Sequence, residues 1–116
     1  MMRSGIMFKQ GDLVILPFPF TDLSNAKKRP AIIISNNRFN KSSEDVLFVA
    51  VTSNPVKRPF SISLSNKNIS KGILSGEAKI KVDKLFCISQ KIILKKFAEV
   101  KTEVVSEIKD VILKII

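Results

Sequence analysis

The chain has 116 residues, with 20 Lys and Arg against 10 Asp and Glu, no His, Tyr or Trp, and a single cysteine, Cys87. Those numbers exclude an intrachain disulfide and a Cys/His zinc site, so neither a metal nor a cofactor is expected. With 45% hydrophobic and 26% charged residues the composition is that of a globular protein, and one domain over residues 1–116, with a flexible start at 1–8, is the natural expectation. No run of 18 apolar residues occurs, and the opening MMRSGIMFKQ lacks the apolar stretch of a secretory signal. A cytoplasmic location away from membranes is therefore expected.

The formal charge of +10 points to a polyanionic partner, either a nucleic acid or an acidic protein. The excess is uneven: residues 99–116 are net −1, and the other 98 residues are net +11. Lys supplies 16 of the 20 cations, and a Lys-rich surface also serves plain solubility, so charge alone does not choose the partner.

In chain order, Leu13 to Leu16 read as a short strand that stops at Pro17, followed by a loop from Pro17 to Lys28. Ala31 to Ser35, with Ile32-Ile33-Ile34 at its centre, reads as a strand buried on both faces. Residues 36–45 form a polar connection, and Val46 to Thr52 a second buried strand broken by Ser53-Asn54-Pro55. Phe60, Ile62 and Leu64 alternate with serines as in a half-exposed strand, and residues 65–72 turn the chain. Ala78 to Val82 alternates again, Leu85 to Ile88 extends or follows it, and residues 92–100 are strand-like. Val100, Val104, Ile108, Val111, Ile112 and Ile115 then recur at helical spacing, predicting a helix over 103–115 with Thr102 as its N-cap. The expected fold is mainly β: a small antiparallel barrel or strongly curved sheet carrying a C-terminal helix.

Such barrels host many activities, so function must be read from the residues between strands. Two junctions stand out, Lys27-Lys28-Arg29-Pro30 and Thr52-Ser53-Asn54-Pro55. Arg29 is one of only four arginines, and its planar fork suits a phosphate where an ammonium gives only a point charge. The plainer readings are a strand-edge cation for Arg29 and a strand-ending β-branched residue for Thr52.

The string Gly11 to Ser35 (GDLVILPFPFTDLSNAKKRPAIIIS), followed by a strand ending Val51-Thr52-Ser53, resembles the MazF/PemK family of toxin endoribonucleases. The later stretches 78–88 and 92–100 and the terminal helix resemble the family's closing elements, so the likeness covers roughly residues 8–116. It implies an SH3-like MazF/PemK-type barrel, a homodimer, and the toxin of a type II toxin–antitoxin system. It also implies metal-independent, sequence-specific cleavage of single-stranded mRNA, which stops translation and growth, and inhibition by a cognate acidic antitoxin. The family's functional arginine matches Arg29, and its functional threonine or serine matches Thr52. Some members carry a glutamate before the arginine, where this chain has Asn25, Ala26, Lys27 and Lys28. Others have an arginine or histidine late in the sheet, where this chain has Leu85-Phe86-Cys87.

The inventory suits that chemistry. RNA carries its own nucleophile in the 2′-hydroxyl, so the protein needs donors aimed at the phosphoryl oxygens and a way to move two protons. Arg29 and Thr52 are the candidate catalytic residues, with Arg29 stabilising the phosphorane and acting as the acid. A guanidinium is a poor base and no His exists, so the base stays open. Lys27, Lys28, Ser53, Lys57 and Arg58 are candidate RNA contacts, with Phe18 or Phe20 to stack a base and core packing as their plainer role. The loop 17–28 is a candidate lid. Two other readings stay open: a toxin of the gyrase-poisoning CcdB kind, which resembles the same fold and acts by binding alone, and a small basic RNA-binding barrel.

Overall fold

The computed structural model describes residues 8–19, 23–55 and 58–116. Seven strands and two helices make up the fold: β1 (Asp12–Phe18), β2 (Lys27–Ile33), α1 (Asn37–Ser42), β3 (Asp45–Thr52), β4 (Ser61–Leu64), β5 (Ile69–Gly72), β6 (Ala78–Ser89), β7 (Lys95–Val100) and α2 (Thr102–Ile115). They form one sheet in the order β4-β6-β3-β2-β1-β7-β5, and every pairing is antiparallel. The expected mainly β fold with a C-terminal helix is what is observed.

Strand periodicity divides the apolar residues between two cores. Leu13, Ile32, Val49, Val51, Ile62, Leu64, Ile80, Val82, Ala98 and Val100 face one side, where Val104, Val105 and Ile108 of α2 cover them. For strands from both ends of the sheet to reach one helix, the sheet must curl, giving a half-barrel. Val14, Leu16, Ala31, Ile33, Val46, Phe48 and Ile88 face the other side with Phe8 and Ile93. Sheet centre strands buried on both faces read as continuous apolar runs, as Ile32-Ile33 do.

Several expected boundaries are corrected. β1 runs on through Pro17 to Phe18, and β2 begins at Lys27, so the loop between them is shorter than expected. Pro17 is tolerated because β7 pairs with β1 only as far as Ile15, so no ladder bond needs its missing N–H. Residues 36–45 contain α1, capped by Asn36, whose side chain accepts from the Phe39 N–H. Residues 65–72 hold a single 3-10 turn and the edge strand β5 rather than a plain turn. Phe60 has φ +60, so β4 starts one residue later, at Ser61. Thr102 is the first helical residue and not the cap: the Lys101 N–H bonds the Asn68 carbonyl at 2.9 Å, which keeps Lys101 extended and starts α2 after it.

Residues 1–7 of the expected flexible start lie outside the described residues, and Phe8 is buried. Its N–H donates to Gln90 Oε1 at 3.3 Å, while Gln90 Nε2 donates to the Asn40 and Ser43 carbonyls. This polar set joins Phe8 to α1 and the β6–β7 connection. No helix among the described residues is long and apolar enough to cross a membrane.

Candidate active site

The face that carries the second core continues into an open cleft of about 1120 Å³. On β2, Ala31 and Ile33 are buried, and Arg29, two residues earlier on the same face, is exposed. On β3, Phe48 is buried in that core, while Ala50 and Thr52 share its face and line the cleft. β2 and β3 pair up to Ala31 opposite Ala50, and Arg29 and Thr52 each lie two residues beyond that last pair, on the same face, where both line the cleft. Each side chain is thus aimed by a strand whose other residues are packed in the core. Thr52 Oγ1 accepts from the Asn54 N–H at 3.1 Å, which leaves the hydroxyl hydrogen to donate elsewhere.

Arg29, Thr52, Lys28 and Ser53 line the cleft together. Lys27 is exposed at the start of β2, opposite Phe18, and is not among the cleft-lining residues. Arg58 is also absent from the lining. Its Nη2 donates to Asp83 Oδ2 at 2.9 Å, so the expected phosphate contact faces a carboxylate instead. Phe20 and Lys57 lie outside the described residues, as does part of the candidate lid. Phe18 lines the cleft as part of an aromatic row, 5.5 Å from Phe86, which in turn is 5.4 Å from Phe48.

The structure adds residues that the sequence did not single out. Lys81 and Lys84 of β6 and Lys95 of β7 also line the cleft. Lys81 lies opposite Ala50, on the strand next to Thr52. Burial, followed by the nearby positive charges of Arg58, Lys84 and Arg29, holds the Lys81 amine below its usual value of 10.5, against an opposing pull from Asp83. Between Val49–Leu85 and Ala50–Lys81 the register jumps, so residues 82–84 have no partner on β3. That bulge turns Asp83 toward Arg58 and Lys84 to the cleft. The alternation of Lys79, Ile80, Lys81 and Val82 holds an unused signal, since it puts both lysines on one face of this strand. Only the pairing of β6 with β3 shows that the face meets Arg29.

Residues 9–116 match the family described as PemK-like, MazF-like toxin of type II toxin-antitoxin system. No curated protein sequence matches the chain closely. Among solved structures, the chain is similar to MazF (Form-I) from Deinococcus radiodurans, with TM-score 0.75, 22% identity, and 96% and 97% of the two chains covered. It is similar to an endoribonuclease in complex with its cognate antitoxin from a mycobacterial species, with TM-score 0.72, 18% identity and 92% of each chain covered. The Mycobacterium tuberculosis toxin MazF-mt6 aligns with TM-score 0.71, 12% identity, and 89% and 93% covered. At these identities the likeness is one of fold. With the family match extending over nearly the whole chain and the same curled sheet and terminal helix, the chain belongs to the PemK-like, MazF-like toxins of type II toxin–antitoxin systems.

Proposed function

We propose that the protein is an endoribonuclease that cuts single-stranded RNA at short sequences by attack of the 2′-hydroxyl on the adjacent phosphorus. The observation that carries this reading is that Arg29 and Thr52, from neighbouring strands, line one cleft together with Lys28, Lys81 and Lys84. Arg29 contacts two phosphoryl oxygens and Thr52 donates its hydroxyl to the charge that builds there. Lys81, which lines the cleft on the strand next to Thr52 and whose amine lies below its usual 10.5, takes the proton from the 2′-hydroxyl, and Arg29 supplies the proton to the departing 5′-oxygen. The products are a 2′,3′-cyclic phosphate and a free 5′-hydroxyl. The nucleophile belongs to the substrate, so the reaction runs without metal.

The partner is an acidic antitoxin segment that folds across the basic cleft and competes with RNA for the same charges. A homodimer fits the apolar side chains left exposed near the end of α2, Leu113, Ile115 and Ile116. Pure protein incubated with single-stranded RNA in EDTA tests the reading. Cleavage that falls by about 100-fold or more in Arg29→Ala and Thr52→Ala supports it, and RNA left whole across many sequences refutes it. A CcdB-like binding toxin or a simple RNA-binding barrel would leave RNA whole and keep its principal effect in Arg29→Ala.

A further inference from the structure

One wall of the cleft is built to stay in place, and it differs chemically from the rest. The wall is the loop over residues 73–77, between β5 and β6. Asn66 mimics a strand partner toward its base: its Oδ1 accepts from the Leu74 N–H at 2.8 Å and its Nδ2 donates to the Leu74 carbonyl at 2.8 Å. Leu74 itself is buried in the core under α2. Gly72, with φ +86, enters the loop where a Cβ would lie 2.4 Å from the Phe97 carbonyl oxygen, so no other residue lets the chain approach β7 so closely. Past these anchors, the loop presents Ile73, 78% exposed, and Glu77 to the cleft.

Both groups are out of place in a surface made only for phosphate. Lys28, Arg29, Lys81, Lys84 and Lys95 line the cleft, and Glu77 is the one acid among the described residues that line it. A carboxylate there repels the RNA backbone and only accepts hydrogen bonds. The Watson–Crick edges of single-stranded RNA are open to such an acceptor. Guanine alone offers two adjacent donors, N1–H and the 2-amino group, matching both carboxylate oxygens. Adenine and cytosine each pair one donor with an acceptor that faces the carboxylate, and uracil flanks its single donor with two carbonyls. Ile73 and the half-buried Phe97 both line the cleft and offer the base an apolar surface.

The geometry points to Glu77 as a specificity-determining residue that reads a guanine in the cleft that Arg29 also lines, with Ile73 packing against that base. This inference rests on the proposed ribonuclease activity. The same sequence-randomised single-stranded RNA, cut by the wild type, Glu77→Gln and Ile73→Ser and sequenced at its new ends, tests it. The wild type should require guanine at one fixed position from the cut. Glu77→Gln should cut guanine-bearing sites about 5- to 150-fold less well, the range for losing one bidentate base contact, and should shift preference toward adenine or cytosine. Ile73→Ser should raise KM on all sites and keep the guanine requirement. An unchanged site profile in Glu77→Gln overturns the inference, and so does an equal rise in cleavage at every site, which would make Glu77 a mere charge. If the wild type cuts no RNA, the ribonuclease reading falls and this inference with it.

Discussion

Arg58 Nη2 lies 2.9 Å from Asp83 Oδ2, beside the cleft and not in its lining. Each side chain is about one-third exposed, so the pair adds less than about 1 kcal/mol to stability. Lys84, one residue beyond Asp83, lines the cleft. The salt dependence of RNA affinity therefore separates the two cations. Lys84→Ala should reduce the slope of log affinity against log salt by about 1, one phosphate contact, and Arg58→Ala should leave the slope close to the wild type. Fluorescence anisotropy over a salt series reads both, with a catalytically dead Arg29→Ala background to keep the RNA intact.

Lys81 carries a cost to the fold that its chemistry explains. Burial and like charges disfavour its ammonium in the native state, so below its folded value the protein gives up stability that an uncharged side chain would retain. Lys81→Met should therefore melt at a higher temperature than the wild type at pH 7, while kcat falls by about 100-fold, the lower end for loss of a general base. The wild-type rate should climb with pH and level off below 10.5, and Lys81→Met should flatten that climb. Calorimetry paired with a pH–rate profile decides it, and a destabilised variant with unchanged kcat would contradict the role.

A staple between β1 and β7 gives a prediction for stability alone. Lys96 Nζ lies 3.0 Å from Oδ1 of the buried Asp12 and also pairs with Glu99, while Asp12 Oδ2 accepts from the Lys9 N–H at 2.8 Å. The hydrogen bond from Lys96 holds the Glu99 carboxyl below its usual 4.5. Burial pulls the Lys96 amine down, but its bonds to Glu99 and Asp12 outweigh that and raise it overall. The Glu99 contribution is present above pH 4.5 and is lost as pH falls below it; the Lys96 contribution is present below pH 10.5 and is lost as pH rises past it. Asp12→Ala should cost about 2–3 kcal/mol in urea unfolding, under the full penalty for breaking a buried pair because Lys96 is a third exposed. Glu99→Gln should reduce the acid sensitivity of that unfolding.

Asn66 offers a separate check on the wall loop. Its loss strands the N–H and carbonyl of buried Leu74, at about 1–3 kcal/mol for each group left without a partner. Asn66→Ala should accelerate amide exchange at Leu74 far more than at Val49 in the sheet centre. Asn66→Asp keeps the acceptor and loses the donor, so it should fall between the two.

How much of this was legible depended on range. Ile32-Ile33 and the Val46–Val51 run declared themselves as central strands because burial on both faces removes polar alternation, although β2 ends at Ile33 and not at the expected Ser35. The spacing of Val104 and Ile108 declared the helix for the same kind of reason. Gly11 and Asp12 read only as a weak pattern, yet each has a physical need: Gly11 has φ +94 and Asp12 reaches Lys96, 84 residues away. Arg29 and Thr52 were singled out by their junctions, and the pairing of β2 with β3 brings both to one cleft. Lys81, Glu77 and the Arg58–Asp83 pair stayed hidden because their meaning lies in the bulge at residues 82–84 and in contacts across the sheet, which local sequence does not encode. Edge strand β5 was read as a turn because a four-residue ISKG segment has no apolar periodicity to show.

In the proposed reaction the substrate supplies its own nucleophile to a phosphate held by Arg29 and Thr52. Once a cut site has been mapped, two RNAs that differ only by 2′-deoxy substitution at the nucleotide before the cut can be compared in EDTA. The all-ribose strand should be cleaved rapidly, leaving a 2′,3′-cyclic phosphate, and the strand that lacks that one hydroxyl should not be cleaved. Equal cleavage of both strands, or a 3′-hydroxyl end on the fragment, would contradict the proposed reaction.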